Sequence, residues 1–549
     1  MNKDDSESLS RRTFLQKSAQ TITATTMVQA ISALGIVIST SACGSSSASS
    51  SSNTDSQNPS IPILPQAASP RPEDWPANAG EGKQVIILGA GISGMCAAFE
   101  MARLGYSCTI LEATERSGGR VRTIRNGDQI LEVDSIQTCQ FDSDPALYFN
   151  AGAARIPHHH DILLGYCREF EVALEAFINE NQSARFHSSA TNGGAPLLAR
   201  QLVCDSQGYI GELLATAINR GALDGELSGS DKTNLLGLLK QFADLDNNFV
   251  YQGSERAGFP GQQSAGSRER GNILTPIASA DILESEFWQF KLDFFKQLNQ
   301  QATMLQPVGG MDKIPQAFEQ RVGSNIIFQA VVSQIRKTSS GVRVSYQDQA
   351  GIEIVVEADY CLCTIPASVL KDIANDFSTA HQAEIDNFSY SRAGKLAFQS
   401  DRFWETSHNI YGGISWTDQD ITQIWYPSGA LGSAQGIVVG AYTFGTGQGE
   451  RFAAQSTSDR ITNGINQASQ IHSDYPDQVF NGISISWPKI PFQLGGWGIS
   501  QPNVLLTEDE NIFFAGEHLS ILQGWQEGAI LSAYSAIGLI VAKTQVQSA

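Results

Sequence analysis

The chain lacks a basic balance. Its 36 Lys and Arg face 56 Asp and Glu, and a net charge of −20 excludes the basic face that a nucleic-acid backbone demands. The same acidity says little about a substrate, because it also keeps a protein soluble. Cysteine pairs at Cys-x-x-Cys spacing are missing too. The eight cysteines (Cys43, Cys96, Cys108, Cys139, Cys167, Cys204, Cys361 and Cys363) include no Cys-x-x-Cys, so neither a dithiol redox motif nor a paired-cysteine zinc motif is indicated. They read as small buried hydrophobes rather than a disulfide framework. No nucleophile–His–acid set and no internal repeat stand out. His158-His159-His160 does not make a metal centre, since three adjacent imidazoles cannot converge on one ion from a helix and no matching Cys/Asp cluster lies nearby. A partly exposed helix start is expected there. What is present is a 549-residue chain of globular composition, 41% hydrophobic and 17% charged, long enough for several domains around a large core.

The first 43 residues are not expected to be part of the fold. Ser10-Arg11-Arg12-Thr13-Phe14-Leu15-Gln16-Lys17 precedes a mildly apolar stretch ending at Ala42-Cys43, and resembles a twin-arginine export signal. Thr, Ser and Gln interrupt that stretch, so it makes a poor permanent membrane span. Cys43 opens a Ser-rich tract, as at a bacterial lipoprotein junction. Thr40 departs from the usual Leu-like residue, so lipidation at Cys43 and plain cleavage after Ala42 both stay open. A periplasmic, lipid-anchored or secreted location follows. Residues 44–80 are Ser/Pro-rich and read as linker.

The most informative stretch is Gln84–Arg122. Val85-Ile86-Ile87-Leu88 has the length and β-branched content of a buried parallel strand. Gly89-x-Gly91-x-x-Gly94 follows, then a helical segment to Leu104, then a second strand, Cys108–Leu111, ending on Glu112. The first glycine makes a tight turn, the second lets backbone approach a pyrophosphate, and the third lets helix pack on strand. The helix N-terminus offers unpaired N–H groups to phosphates, and Glu112 sits where a carboxylate accepts from an adenosine ribose. This is a dinucleotide site. Ser117-Gly118-Gly119-Arg120-Val121 then supplies a second Gly-Gly-Arg turn that a nicotinamide cofactor does not need.

Further along, 126–150 reads as loop and short strands, and 161–303 as mostly helical, with apolar residues at helical spacing in Ile210–Ile218, Asn234–Ala243 and Ser285–Leu298. Strands are expected on either side of Ser339-Ser340-Gly341, then at Ile352–Val356 and Tyr360–Thr364. Alternation from Lys395 to Phe444 predicts an antiparallel sheet. Asn511–Glu517 returns to a buried strand ending in Gly-Glu, before a last helix from about Glu527 to Ala542.

The Gly-Gly-Arg turn together with Phe513-Phe514-Ala515-Gly516-Glu517-His518 and Gly524-Trp525 resembles the flavin amine oxidase family. Within it, Gly152-Ala153-Ala154-Arg155-Ile156-Pro157 and Gly309-Gly310-Met311-Asp312-Lys313-Ile314-Pro315 are similar to segments of the L-amino acid oxidases, bacterial members included. The resemblance implies an α/β plus α+β chain with a Rossmann-like FAD-binding domain, an antiparallel-sheet substrate domain and a helical insertion. The FAD-binding parts fall at 81–157 (with the start of the substrate domain), 304–390 and 505–549, the helical insertion at 158–303, and the substrate domain at 391–504. It also implies non-covalent FAD, since no cysteine follows Cys363 to form a thioether. Arg120 is expected on the FAD phosphates, the Val332 backbone at the adenine, and Glu517 on the ribityl chain. Arg155 is expected to fork onto a substrate α-carboxylate, a task for which a planar guanidinium is suited and an ammonium is not. Tyr442 would add a hydrogen bond to that carboxylate, and the Gly524 carbonyl would accept from the amine. Lys395 would hold a water at the flavin, and Trp425, Trp497 and Trp525 would wall the pocket. Ala154, where Met is common, and an insertion near Asp128–Leu147 depart from the family pattern. Tyr251-x-Gly253-Ser254-x-Arg256-Ala257-Gly258 resembles a loop of the bacterial members without a derivable role.

The expected reaction is oxidative deamination of an L-amino acid by O₂ to a 2-oxo acid, ammonia and H₂O₂. Large neutral side chains are the default preference and basic ones second. An amino acid 2-monooxygenase giving an amide shares every motif. A monoamine or polyamine oxidase lacks the carboxylate that Arg155 would bind. An exported flavin-binding interaction protein is the non-enzyme alternative. A homodimer is expected from the family alone.

Overall fold

A computed structural model describes residues 72–259, 272–285, 287–445 and 447–548. The signal, Cys43 and most of the linker lie outside the described residues. The chain divides into two compact units, one containing 188–293 and the other 65–187 with 294–549.

In the larger unit the apolar run Gln84–Leu88 is the middle strand of a five-stranded parallel sheet. The order is Ile326–Ile327, Ser107–Leu111, Gln84–Leu88, Tyr360–Cys363, Ile512–Phe514. Alternate residues of each strand serve opposite cores, because successive side chains leave a strand on opposite faces. Val85, Ile87, Tyr360, Leu362 and Phe513 join a cluster built with the helix Ile92–Arg103 and the C-terminal helix Gln526–Ser548. Ile86, Leu88, Cys361, Cys363, Ile512 and Phe514 face the other way, onto the antiparallel sheet Val331–Lys337, Val342–Gln347, Glu353–Ala358. Burial on both faces explains why these strands read as unbroken apolar runs. The described cysteines are free and buried. The last helix is long and apolar enough to cross a membrane by composition, yet more than half of its apolar window is buried in this core.

A second sheet of the same unit runs Arg185–His187, Ile414–Thr417, Gln423–Trp425, Gln435–Thr443, Gly394–Asp401, Val479–Ser486. Its pairs are antiparallel apart from the first. Register places Lys395 opposite Tyr442 and Trp425 opposite Val439. Leu396 and Phe398 turn away from Lys395 into a separate apolar cluster. A small antiparallel sheet, Ile156–Pro157, Met304–Pro307, Leu174–Phe177, holds the backbone just after Arg155.

The smaller unit is helical, with Ala199–Asn219 and Gly229–Phe242 packed together. The Tyr251–Gly258 loop acquires a structural role there. Tyr251 Oη donates to Asp205 (2.5 Å), its amide donates to Glu212 (3.0 Å), and Arg256 Nε donates to Asp244 (2.8 Å).

Two expectations need correction. The stretch 161–303 is not mostly helical throughout, since it carries the strands Leu174–Phe177 and Arg185–His187. Ser285–Leu298 is no continuous helix but breaks into short turns at Phe287–Phe290, Phe294–Lys296 and Leu298–Gln300. Tertiary contact overrides the local period there: Phe294 is buried with its ring edge-on to Trp416 at 5.0 Å.

Candidate functional site

Three separated segments form one cradle. Gly89 has φ +103, and a Cβ there would meet Thr364 Oγ1 at 2.8 Å. A Cβ on Gly94 would sit 2.1 Å from the Gly89 carbonyl oxygen, which is how tightly helix and turn approach. Gly91 is different: a Cβ there would enter open space. Gly91 is also the N-cap of Ile92–Arg103 and provides no side-chain acceptor, so the first-turn amides keep their hydrogen-bonding capacity for an anion. A Cβ on Gly119 would lie 3.6 Å from the Gly91 Cα, so the two glycine turns face each other. Glu112 is buried beside them. It accepts from the Ala90 amide (2.8 Å) and from the Thr114 amide and hydroxyl (2.9 and 2.7 Å). The Ala330 amide donates to the Glu112 carbonyl (2.8 Å), bringing Val332, at a bulge two residues on, to the same end of the sheet. Open backbone, uncapped amides and a buried carboxylate fit a dinucleotide.

Arg120 and Glu517 were expected on separate parts of the cofactor. In the structure they bind each other. Arg120 Nη1 donates to Glu517 Oε1 (2.8 Å) and to the Gly496 carbonyl (2.8 Å). Glu517 accepts further from the amides of Gly498 (3.1 Å) and Gly524 (2.7 Å). Gly524 takes φ +81, and its Cβ position lies 3.3 Å from Trp497. The second glycine turn is thereby wired to the loop carrying Gly524 and Trp525.

Arg155 lies in an aromatic box. Its guanidinium is 4.4 Å from the Trp425 ring centre, 5.8 Å from Phe294, 5.9 Å from Phe177 and 6.0 Å from Trp525. Nη2 donates to Gln300 Oε1 (2.8 Å), while Nε and Nη1 are buried with no hydrogen-bond partner among the described residues. Burial pushes its pKa down to about 10, opposed by Tyr442. Orphaned buried donors are costly, and a planar acceptor pair would satisfy them.

Lys395 is buried across the strand pair from Tyr442. Nζ donates to the carbonyls of Asn150 (3.0 Å) and Gly152 (2.6 Å) and lies 4.9 Å from the Tyr442 ring centre. The ammonium therefore ties down the turn that leads into Arg155, with two of its three donors engaged among the described residues. Burial, then the Arg155 charge, pushes Lys395 down to about 7. Burial raises the Tyr442 hydroxyl to about 12, with Arg155 pulling the other way. Trp425 packs edge-on to Tyr442 at 5.0 Å, and Trp497 lies farther off at 6.5 Å. A cavity of 320 Å³ shares Phe177 and Trp425 with the box, but Arg155 does not line it.

Residues with no motif complete the box. Gln300, Phe294 and Phe177 carry no pattern that singles them out. The His158–His160 run is a partly exposed helix start, as expected: His158 is exposed and His159 half-buried, while His160 is buried with its ring edge-on to Trp525 at 5.1 Å. The Glu527 carboxylate accepts from the amides of Ile162 (3.2 Å) and Leu163 (2.8 Å), capping the helix Asp161–Glu169 and fixing His160 against Trp525. His159 and His160 both reach Asn299 Oδ1, at 2.9 and 3.3 Å.

Comparison with known proteins identifies the family and the fold. The model of the family described as "Flavin containing amine oxidoreductase" matches residues 92–538. YobN of Bacillus subtilis (strain 168), whose name marks it provisionally as an L-amino-acid oxidase, is 27% identical over 82% of this chain and 93% of its own length. The L-amino acid oxidase Bs29 of Bothriechis schlegelii is 27% identical over 83% of this chain and 89% of its own. Among solved structures, putrescine oxidase bound to putrescine shares the fold, with a TM-score of 0.55, 16% identity, and coverage of 84% of this chain and 99% of that one. Cyclohexylamine oxidase of Brevibacterium oxydans IH-35A gives the same score, identity and coverage. With a dinucleotide cradle at one end and a family match spanning most of its length, the chain belongs to the flavin-containing amine oxidoreductases and is an oxidoreductase acting on amino groups.

Proposed function

We propose that the protein is an FAD-dependent L-amino acid oxidase, converting an L-α-amino acid to a 2-oxo acid with release of ammonia and H₂O₂. The observation that carries this is Arg155, a desolvated guanidinium with two unsatisfied N–H-bearing atoms inside an aromatic box. A carboxylate supplies both the charge and the acceptors that this group lacks. A simple amine supplies neither. The names of the relatives support the same substrate class. FAD is favoured because the Gly89–Glu112 unit is suited to an adenine dinucleotide. Non-covalent binding is favoured because no cysteine follows Cys363.

A bound flavin would supply the acceptor for the Cα hydride and a route for its electrons to O₂. The rest is the work of the chain. Arg155 and Tyr442 would hold the carboxylate, and the Gly524 carbonyl would accept from the amine. Trp425, Trp497 and Trp525 would exclude water from the reacting centre. Lys395, with its third donor, would hold a water there; a pKa near 7 lets it also release or take a proton near neutrality. The substrate amine reacts in its neutral form, so no general base is required, and the imino acid hydrolyses in water. Export by the twin-arginine route, with or without a lipid anchor at Cys43, is proposed from Ser10–Lys17 and Ala42–Cys43.

The test is a peroxide assay against a panel of L-amino acids and of the corresponding decarboxylated amines, with the product identified. Peroxide and 2-oxo acid from the amino acids alone support the proposal. An amide product, turnover confined to the amines, or no turnover with flavin bound each refutes it.

A further inference from the structure

Away from the flavin cradle and the Arg155 box, His408, His472 and Asp474 converge. One ring nitrogen from each histidine and one Asp474 carboxylate oxygen lie within 4.8 Å of one another. The ring centres of His408 and His472 are 4.4 Å apart. His408 Nε2 is 3.2 Å from Asp474 Oδ1 and 3.3 Å from Oδ2. His472 is 1% exposed, so its polar atoms need partners within the fold. Its Nε2 has one, the Tyr426 hydroxyl at 2.6 Å, which in turn meets Ser415 Oγ at 2.7 Å. Its Nδ1 is buried and has no hydrogen-bond partner among the described residues. Phe403 walls the pair on one side, edge-on to both imidazoles at 5.7–5.8 Å. The His408 and Asp474 side chains stay partly open to solvent, at 21% and 34%.

These features have the chemistry of a three-ligand metal centre. Two imidazoles and one carboxylate form a nitrogen–oxygen set suited to zinc and its first-row neighbours, and poorly suited to calcium or magnesium, which take oxygen. A ligating imidazole usually engages its second nitrogen with an outer partner that fixes tautomer and ring orientation. The Tyr426 hydroxyl holds that place for His472. The partly open side leaves room for a water as fourth ligand. Arg185 acts electrostatically on the His472 ring and opposes a dication, which limits the affinity.

We propose that His408, His472 through Nδ1, and Asp474 bind one divalent transition-metal ion of the zinc class, with Tyr426 orienting His472. The ion ties together two segments distant in sequence, the turn after Phe403–Thr406 and the turn after Thr457–Ala468, and Tyr426 links the end of the strand Gln423–Trp425 to them through His472. It takes no part in amine oxidation. Its effect would reach the Arg155 box through Trp425, the neighbour of Tyr426, and through Ser415 and Trp416, which packs on Phe294.

The experiment uses flavin-loaded, full-length protein carrying no affinity tag. It is stripped with chelator, dialysed against Zn²⁺, desalted and analysed for metal, and Co²⁺ is titrated in parallel to read the visible band of a low-coordinate site. One equivalent of zinc is expected in the wild type. His408→Gln and Asp474→Asn alter partly exposed side chains, and their circular dichroism should match the wild type. Each is expected to weaken zinc binding by about 100-fold or more, and Tyr426→Phe by roughly 10- to 100-fold. Failure of the wild type to retain stoichiometric zinc overturns the proposal. So does retention that survives both ligand substitutions, as it would if His158–His160 were the binding group.

Discussion

Replacing Arg155 with Met should move stability and activity in opposite directions. In the substrate-free protein the guanidinium has buried Nε and Nη1 atoms and one hydrogen bond among the described residues, to Gln300. Burying a lone ion costs several kcal/mol, on the order of 3–5. Two unpaired buried donors add about 1–3 kcal/mol each. Against this stand cation–π contacts of about 2 kcal/mol and a charged hydrogen bond of about 1.5–3 kcal/mol. The unfavourable side is the larger. Methionine has an apolar side chain that the rings of Trp425, Phe177 and Phe294 can pack around, so the variant should be more stable by about 1–4 kcal/mol. Activity should fall, because truncating one partner of a buried charge pair costs about 2–5 kcal/mol. That corresponds to roughly 30- to 5,000-fold in kcat/KM, appearing mainly in KM if the carboxylate is bound equally in ground and transition states. The assays are thermal melting of the substrate-free, flavin-loaded protein and steady-state peroxide production. A lower melting temperature with an unchanged KM would refute the reasoning, because that is the signature of an arginine that only holds the fold.

Other outcomes can be checked the same way. Gly91→Ala should fold normally yet lose flavin, because its Cβ meets no protein atom within 4 Å and projects into the cradle, whereas Gly94→Ala should also lose stability through the 2.1 Å approach to the Gly89 carbonyl. Flavin-to-protein absorbance ratios and circular dichroism separate the two, and equal flavin content in Gly91→Ala and wild type would remove Gly91 from the cofactor site. Lys395 is pushed down to about 7 from an ordinary 10.5. Below pH 7 it is charged both folded and unfolded, and the burial penalty is complete. Above pH 7 the unfolded chain holds this proton more tightly than the folded one, so the stability it contributes rises with pH up to about 10.5. The melting temperature of the wild type should therefore climb relative to Lys395→Met between pH 7 and 9, and a difference that stays constant would show that Lys395 does not titrate in that range.

The parts readable in the sequence are those whose geometry is local. Gly89, Gly91 and Gly94 sit in one turn, and the strand, helix and strand around them follow from a short run of residues. The strands bearing Lys395 and Tyr442 could each be read from alternation, while their direct opposition is a property of register. Phe294 stands in Ser285–Leu298, a stretch whose apolar spacing suggested a helix, and Gln300 lies just beyond it; burial of Phe294 against Trp416 decides otherwise. The orphaned donors of Arg155, the capping of Asp161–Glu169 by Glu527, and the Arg120–Glu517 pair depend on residues far apart in the chain, and no local pattern encodes such meetings.

That pair also bears on the order in which the molecule can be made. Gln84–Leu88 leaves the ribosome long before Ile512–Phe514, the outer strand that its sheet requires. Until then the cradle has an unpaired strand edge, and Arg120 has no Glu517 to meet. Such distant pairing makes folding slow and leaves the nascent chain exposed to misassembly. A chain that stops short of Glu517 cannot clamp the second glycine turn, whatever the state of its first hundred residues.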